Sequence, residues 1–289
     1  MNTHIRIVLQ WGLLITMASG IVPPKVPGLS LPAKVLENIR IDPGYYMPGR
    51  ALTGLIQARR LAKMAADGAA QLPDTMLAVL PVLCMQYADV EAEEWPIPLM
   101  QEQLFGEWGS GSMRDYYLET SYGALEVTGD VIGWIPMAGD SEYYERDPNG
   151  FSGPNTYELL TDALAAVDSA VDFAKYDLDN DGTVDFMVFI HSGTGGEYGG
   201  SGIWSHSWAL SALGGQVFTT NDTTPNGTSV VVNGYVIQPA VDPQGTMEAI
   251  GVFCHELGHA LGLPDLYDRD SSSEGIGHLG LMAVCGAES

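Results

Sequence analysis

The chain has 289 residues, of which 46% are hydrophobic and 9% aromatic, enough to bury a sizeable core and to exclude wholesale disorder. Its 36 Asp and Glu against 12 Lys and Arg give a formal charge of −24, which argues against a nucleic-acid partner because such proteins need a basic footprint. Three cysteines are too few for a disulfide-stapled scaffold. The charge is uneven. Residues 1–63 hold eight of the basic residues and only Glu37 and Asp42, a net +6, whereas the remainder carries a net −30.

At the N-terminus, Met1–Arg6 carries one Arg, residues 7–17 are almost wholly apolar, and Ala18-Ser19-Gly20 offers small residues at a cleavage point. This is the three-part layout of a secretory signal peptide over 1–20, and it predicts an exported protein. The apolar run is too short to span a bilayer comfortably, so no membrane span is expected in the mature form. Residues 21–75 begin rich in Pro and Gly and continue into a short helical run over 52–69; they read as a linker or pro-segment.

From residue 76 the pattern changes. Residues 76–87 form an apolar run that predicts a buried strand, and 112–119 a short helix with Ser112 as its cap. Residues 125–135 alternate as a strand. Residues 155–172 are the strongest helix, with Asn155 and Glu158 as a capping box and Leu159, Leu160, Ala163, Leu164 and Val167 on one face. A second buried strand follows at 184–191, then a hairpin over 230–236 turning at Asn233-Gly234. A helix over 246–261 should end at Gly262, with Pro264 forbidding its continuation. Strands alternating with helices predict one mixed α/β domain over 76–289.

Two segments carry chemistry. In HELGHALGLPD (255–265), His255 and His259 lie four apart on a helix, so both imidazoles leave one face and can reach one zinc ion. Glu256 sits beside the first ligand, where a carboxylate can take the proton of a metal-activated water during attack on a carbonyl. Gly262 lets the chain leave the helix sharply, and Pro264 stiffens the return, bringing Asp265 back as an oxygen ligand. Asp268 is the competing third ligand. In DLDNDGTVD (177–185), Asp177, Asp179, Asp181 and Asp185 occupy loop positions 1, 3, 5 and 9, with Gly182 at the turn and the Thr183 carbonyl at position 7. The acid of position 12 is replaced by Val188. The segment is a calcium-loop variant, competing with a plain Asp-Gly turn.

The first segment resembles the metzincin signature, with Asp265 where the third His would stand. Continued as GLPDLYD, it is similar to the immune inhibitor A-like family of secreted bacterial zinc endopeptidases. The stretches SMRDYYLETSYGALEV (112–127), VDFAKYDLDNDGTVDFMVFIHSGTGGE (171–197), IWSHSW (203–208) and GIGHLGLMAVCG (275–286) match that family in order. The resemblance implies a metzincin-like α/β (α+β) domain with a mixed twisted sheet, a backing helix and an active-site helix. It implies His255, His259 and Asp265 as zinc ligands, Glu256 as general base and Met282 as the Met-turn residue. The expected function is a secreted zinc endopeptidase acting on polypeptides and favouring a monomer. The chain stops seven residues after Met282, where the family continues, so the expectation includes a C-terminally truncated domain. The alternative is a catalytically weak, calcium-braced surface or adhesion module; a dockerin-like role would need a second Asp loop, which the sequence lacks. Three questions stay open: whether Cys254 pairs with Cys285, whether His206 lines a cleft or packs, and whether Glu197 lines a cleft or binds a cation. His191 is expected in the core, and His278 lacks ligand spacing.

Overall fold

A strand buried on both faces needs apolar residues at every position, and the run from Met76 has them. In the computed structural model this run is β1 (Met76–Gln86), with Leu80, Val82 and Cys84 in one core and Leu83, Met85 and the following Tyr87 in the other. The structure describes residues 75–92, 95–150, 154–200, 202–267, 275–276 and 279–282. The proposed signal peptide and the 21–75 linker fall almost wholly outside these residues, as do Asp268, His278 and Cys285.

The chain continues through α1 (Ile97–Phe105), α2 (Met113–Thr120), β2 (Leu125–Pro136), α3 (Ser141–Tyr144), α4 (Pro154–Val167), β3 (Met187–Thr194), β4 (His206–Ala209), α5 (Leu210–Leu213), β5 (Phe218–Thr223), β6 (Ser229–Val232), β7 (Gly234–Val241) and α6 (Ile250–Ala260). Five strands form a mixed sheet in the order β2-β1-β3-β7-β4. All neighbours are parallel except β4, which runs antiparallel to β7 at the edge. Side α4 buries Leu159, Leu160, Ala163 and Leu164 on one sheet face. On the other, α1, α2 and α6 contribute Met100, Leu104, Met113, Phe253 and Leu257. The expected mixed α/β architecture is therefore present, with α4 as the backing helix. Among the described residues no helix is long and apolar enough to cross a membrane.

Local details depart from expectation where tertiary partners compete. Ser112 does cap α2, in a reciprocal capping box with Asp115. The cap of α4 is not the Asn155 and Glu158 pair. The helix opens on Pro154, and Asp147 Oδ2 accepts from the Asn155 and Thr156 amides at 2.7 and 3.2 Å. That helix stops at Val167, because Asp172 instead caps a separate short turn over Phe173–Tyr176. Strand β3 starts three residues later than expected, since Val184 is diverted to donate to the Val231 carbonyl. Helix α6 starts at Ile250, four residues late, because Thr246 first closes a turn on Asp242 and Met247 bridges Val241.

The hairpin at Asn233-Gly234 does not form. Strand β6 pairs with β5, while β7 pairs with β3 and β4. A type I′ turn needs positive φ at both central residues, and neither Asn233 nor Gly234 has it. Asn233 serves α5 instead: its Oδ1 accepts from the Ser211 amide and its carbonyl from the Leu210 amide. The real hairpin turns at Gly227, whose φ is 85°.

Candidate metal centre

Helical spacing places His255 and His259 on one face of α6, their rings edge to face with centroids 4.8 Å apart. Each Nδ1 is committed to a backbone carbonyl: His255 to Leu281 at 2.8 Å and His259 to Leu263 at 2.9 Å. A carbonyl can only accept, so both Nδ1 atoms carry the proton and both Nε2 atoms present lone pairs. Those two nitrogens face the same oxygen, Asp265 Oδ1, at 3.3 and 3.1 Å.

The return of Asp265 follows from how α6 ends. Gly262 takes φ 88°, its amide donates to the His259 carbonyl, and the Leu263 amide donates to the Gly258 carbonyl. This Schellman closure reverses the chain. The Leu266 amide then donates to the Met282 carbonyl at 2.8 Å, tying the return loop to the segment beneath the helix. Met282 is buried, and a Cβ on Gly258 would stand only 2.8 Å from its Sδ. Gly258 is thus the position where a side chain is missing so that Met282 can lie against the helix, between the two histidines.

Three atoms with lone pairs converge here with no proton left among them in the neutral-histidine state, an arrangement that suits a bound cation. The separations of 3.1–3.3 Å match the edge of about 3.3 Å expected for a tetrahedron with bonds of 2.0–2.1 Å. Burial pushes Asp265 up, but once the imidazoles are protonated their hydrogen bonds and charge outweigh it and hold the carboxyl well below the usual range. His255, His259 and Asp265 therefore fit a zinc ion as a two-nitrogen, one-oxygen set.

Glu256 is fully buried, and neither carboxylate oxygen meets a hydrogen-bond donor among the described residues. It belongs with His255 and His259 to a group whose metal-binding atoms lie within 4.8 Å of one another. Burial pushes its pKa up to about 8; His255 opposes this, and the Asp265 and Glu197 charges add to it.

The aspartate loop is built differently. Ligand atoms of Asp177, Asp179 and Asp185 lie within 4.8 Å of one another, so three of the four expected carboxylates gather. Asp181 is not in that group; its Oδ1 accepts from the Thr183 amide. Asp177 accepts from the Asp181 and Gly182 amides, and Asp179 from the Asp181 amide. Burial raises the Asp177 pKa, and the charges of Asp181 and Asp179 add to the rise. Thr183 is held by a bridge to Val231.

Other candidates resolve as packing. His191 is fully buried within β3, stacked on Tyr87, and burial pushes its pKa down to about 3. His206 pairs Nδ1 with the Trp204 carbonyl and Nε2 with the Tyr235 hydroxyl, and burial pushes its pKa down to about 4. Glu197 is held by Ser205 through both backbone and side chain. Sequence reasoning missed Gly258, although it lies inside HELGH, because only the seat of Met282 gives it meaning. It also missed Glu248, the buried carboxylate at the entrance to α6, for which no spacing signal exists.

A family model described as the immune inhibitor A peptidase M6 catalytic domain matches residues 99–286. Immune inhibitor A of Bacillus thuringiensis subsp. alesti is 34% identical over 190 residues, covering 57% of this chain and 26% of that protein. Pre-pro-metalloprotease PrtV of Vibrio cholerae serotype O1 is 32% identical over 190 residues, covering 57% of this chain and 20% of that protein. The chain thus matches about a quarter or less of the length of these relatives. It belongs to the immune inhibitor A peptidase M6 family.

Proposed function

We propose that the chain carries the catalytic domain of a secreted zinc endopeptidase, with His255, His259 and Asp265 holding the metal and Glu256 acting as general base. The observation that carries this is the convergence of His255 Nε2, His259 Nε2 and Asp265 Oδ1 beside a buried carboxylate without a donor. When bound, zinc polarises a peptide carbonyl and lowers the pKa of a water molecule to about 7.

The chain's own residues do the rest. The carbonyls of Leu281 and Leu263 hold both imidazoles in the tautomer that leaves Nε2 basic. Glu256 accepts the proton of the attacking water at a carboxylate oxygen and delivers it to the leaving amine nitrogen. Met282 supplies an apolar floor that keeps the helix seated. Substrates are extended polypeptides, whose backbones add to the sheet along β4, the antiparallel edge strand.

The same reading takes residues 1–20 as a signal peptide, 21–75 as a pro-segment or linker and the catalytic unit as starting near residue 76. Family membership, the names of the relatives and the N-terminal pattern support it. It also assigns calcium to Asp177, Asp179 and Asp185, because a divalent cation would relieve the mutual repulsion of three gathered carboxylates.

The test is hydrolysis of fluorescent casein by the purified chain with zinc and calcium, beside Glu256→Gln. Activity in the parent and its loss in a variant that keeps stoichiometric zinc are the expected results. A zinc-loaded parent without activity would overturn the endopeptidase and favour a binding module that retains the fold.

A further inference from the structure

In the turn between β3 and β4, Gly195, Gly196 and Gly202 leave no room for side chains. A Cβ on Gly196 would meet the Gly202 carbonyl oxygen, one on Gly202 the Thr194 carbonyl oxygen, and one on Gly195 the carboxylate of Glu197. The Gly196 amide closes the loop on the Ile203 carbonyl at 3.1 Å. This close packing presents two consecutive side chains, Glu197 and Tyr198, to different elements.

Glu197 turns toward the edge strand. Its Oε2 accepts from the Ser205 amide at 3.1 Å and its Oε1 from the Ser205 hydroxyl at 2.5 Å. Ser205 is fully buried and immediately precedes β4. Tyr198 turns the other way, and its hydroxyl reaches both carboxylate oxygens of Glu248, at 3.0 and 2.8 Å. Glu248 is buried and stands at the entrance to α6. Its Oε1 accepts from the Ala249 amide, its own amide donates to the Ala240 carbonyl of β7, and its carbonyl accepts from Gln103 of α1 at 2.7 Å. One turn therefore holds the edge strand by one residue and the entry of α6 by the next.

We propose that Glu197 and Tyr198 form a clamp that fixes the height of β4 relative to α6, making Glu197 a positioning residue for extended substrates. The proposal rests on the peptidase reading above. Neither residue hydrogen-bonds to the metal-binding atoms; the Glu197 charge is felt by Glu256, while the clamp itself acts through Ser205 and Glu248. The cost of burying two carboxylates off the reacting centre is the physical reason to assign them a role. Each is fully used in hydrogen bonds that join separate elements, and an apolar pair would fill the same space without the orientation. Substrates that reach along β4 should depend on the clamp, whereas short ones that occupy only the metal site should not.

The experiment uses the full chain, the variants Glu197→Gln and Ser205→Ala, and two readouts. The first is the ratio of kcat/KM for a ten-residue peptide to that for a blocked dipeptide amide. This ratio should fall about tenfold in Glu197→Gln and about threefold in Ser205→Ala. The second is amide hydrogen exchange, in which residues 205–209 should exchange at least tenfold faster with β1 protection unchanged. An unchanged ratio, an equal loss on both peptides, or β4 exchange that does not move would each overturn the clamp. A parent that cleaves neither peptide would overturn the peptidase reading and with it substrate positioning; the exchange data would still decide whether Glu197 anchors β4.

Discussion

The two faces of the central sheet arrange their buried polar groups differently. On the face covered by α1, α2 and α6, polar atoms are buried without donors: both oxygens of Glu256 are in this state, and two imidazole lone pairs point at one carboxylate oxygen. On the face covered by α4, polar atoms are also buried without partners among the described residues, including both ring nitrogens of His191 and the Tyr87 hydroxyl, and His191 and His206 are kept neutral by burial. Beside that core, the aspartate loop spends much of its hydrogen-bonding capacity on its own backbone amides. Leaving a buried polar group unpaired costs about 1–3 kcal/mol on either face. What sets the first face apart among the described residues is convergence: two imidazole nitrogens meet one carboxylate oxygen at 3.1–3.3 Å beside Glu256.

The largest effect should come from the base. Glu256→Gln is expected to reduce hydrolysis by about 10²–10⁴-fold with zinc content unchanged, measured by casein cleavage beside metal analysis. Retained activity would erase the distinction between the faces.

The back face should show itself in acid. His191 and His206 have folded pKa values below their ordinary one, so the folded state binds fewer protons than the unfolded state under acid conditions. Stability is full above about pH 6.5 and is lost as pH falls toward 4 and 3, at about 1 kcal/mol per pH unit for each histidine. His191→Phe, which keeps the stack on Tyr87, should move the acid-unfolding midpoint to lower pH; denaturant melts between pH 3 and 7 would reveal it. An unchanged acid arm would show that His191 is not held neutral.

Crowding between Met282 and the metal helix is expected to be smaller. Gly258→Ala places a methyl 2.8 Å from Sδ and should cost about 1–3 kcal/mol despite the better helix propensity of alanine. Adding Met282→Ala should recover part of that loss in a double-mutant cycle, because the clash disappears. Smallest of all should be the aspartate loop. Calcium removal with zinc kept saturated should lower Tm by about 2–4 °C, the shift for a loss of about 1 kcal/mol in a domain of this size. No shift would leave the loop a plain Asp-Gly turn.

Helix α6 shows how far local pattern reaches. The four-residue spacing of His255 and His259, the stop at Gly262 and the capping of α2 by Ser112 depend on neighbours within a few residues, and each was legible. The Asn233-Gly234 hairpin was misleading for the converse reason: the dipeptide favours a tight turn locally, but β7 buries more by pairing with β3 and β4. The same competition gave α4 a cap from Asp147 rather than from Asn155.

By itself, then, the amino-acid sequence determined the mixed α/β class, the helix bearing two histidines and a glutamate, and the clustering of aspartates in one loop, because these rest on periodicities of two and 3.6 and on short-range backbone chemistry. Only the tertiary structure decided that Leu281 and Leu263 orient the imidazoles and that Met282 requires a glycine at 258. It alone brought Glu197 and Glu248 together through one turn to tie the edge strand to the metal helix. The Tyr198–Glu248 link in that turn joins residues 50 positions apart, and chain folding alone sets such distances.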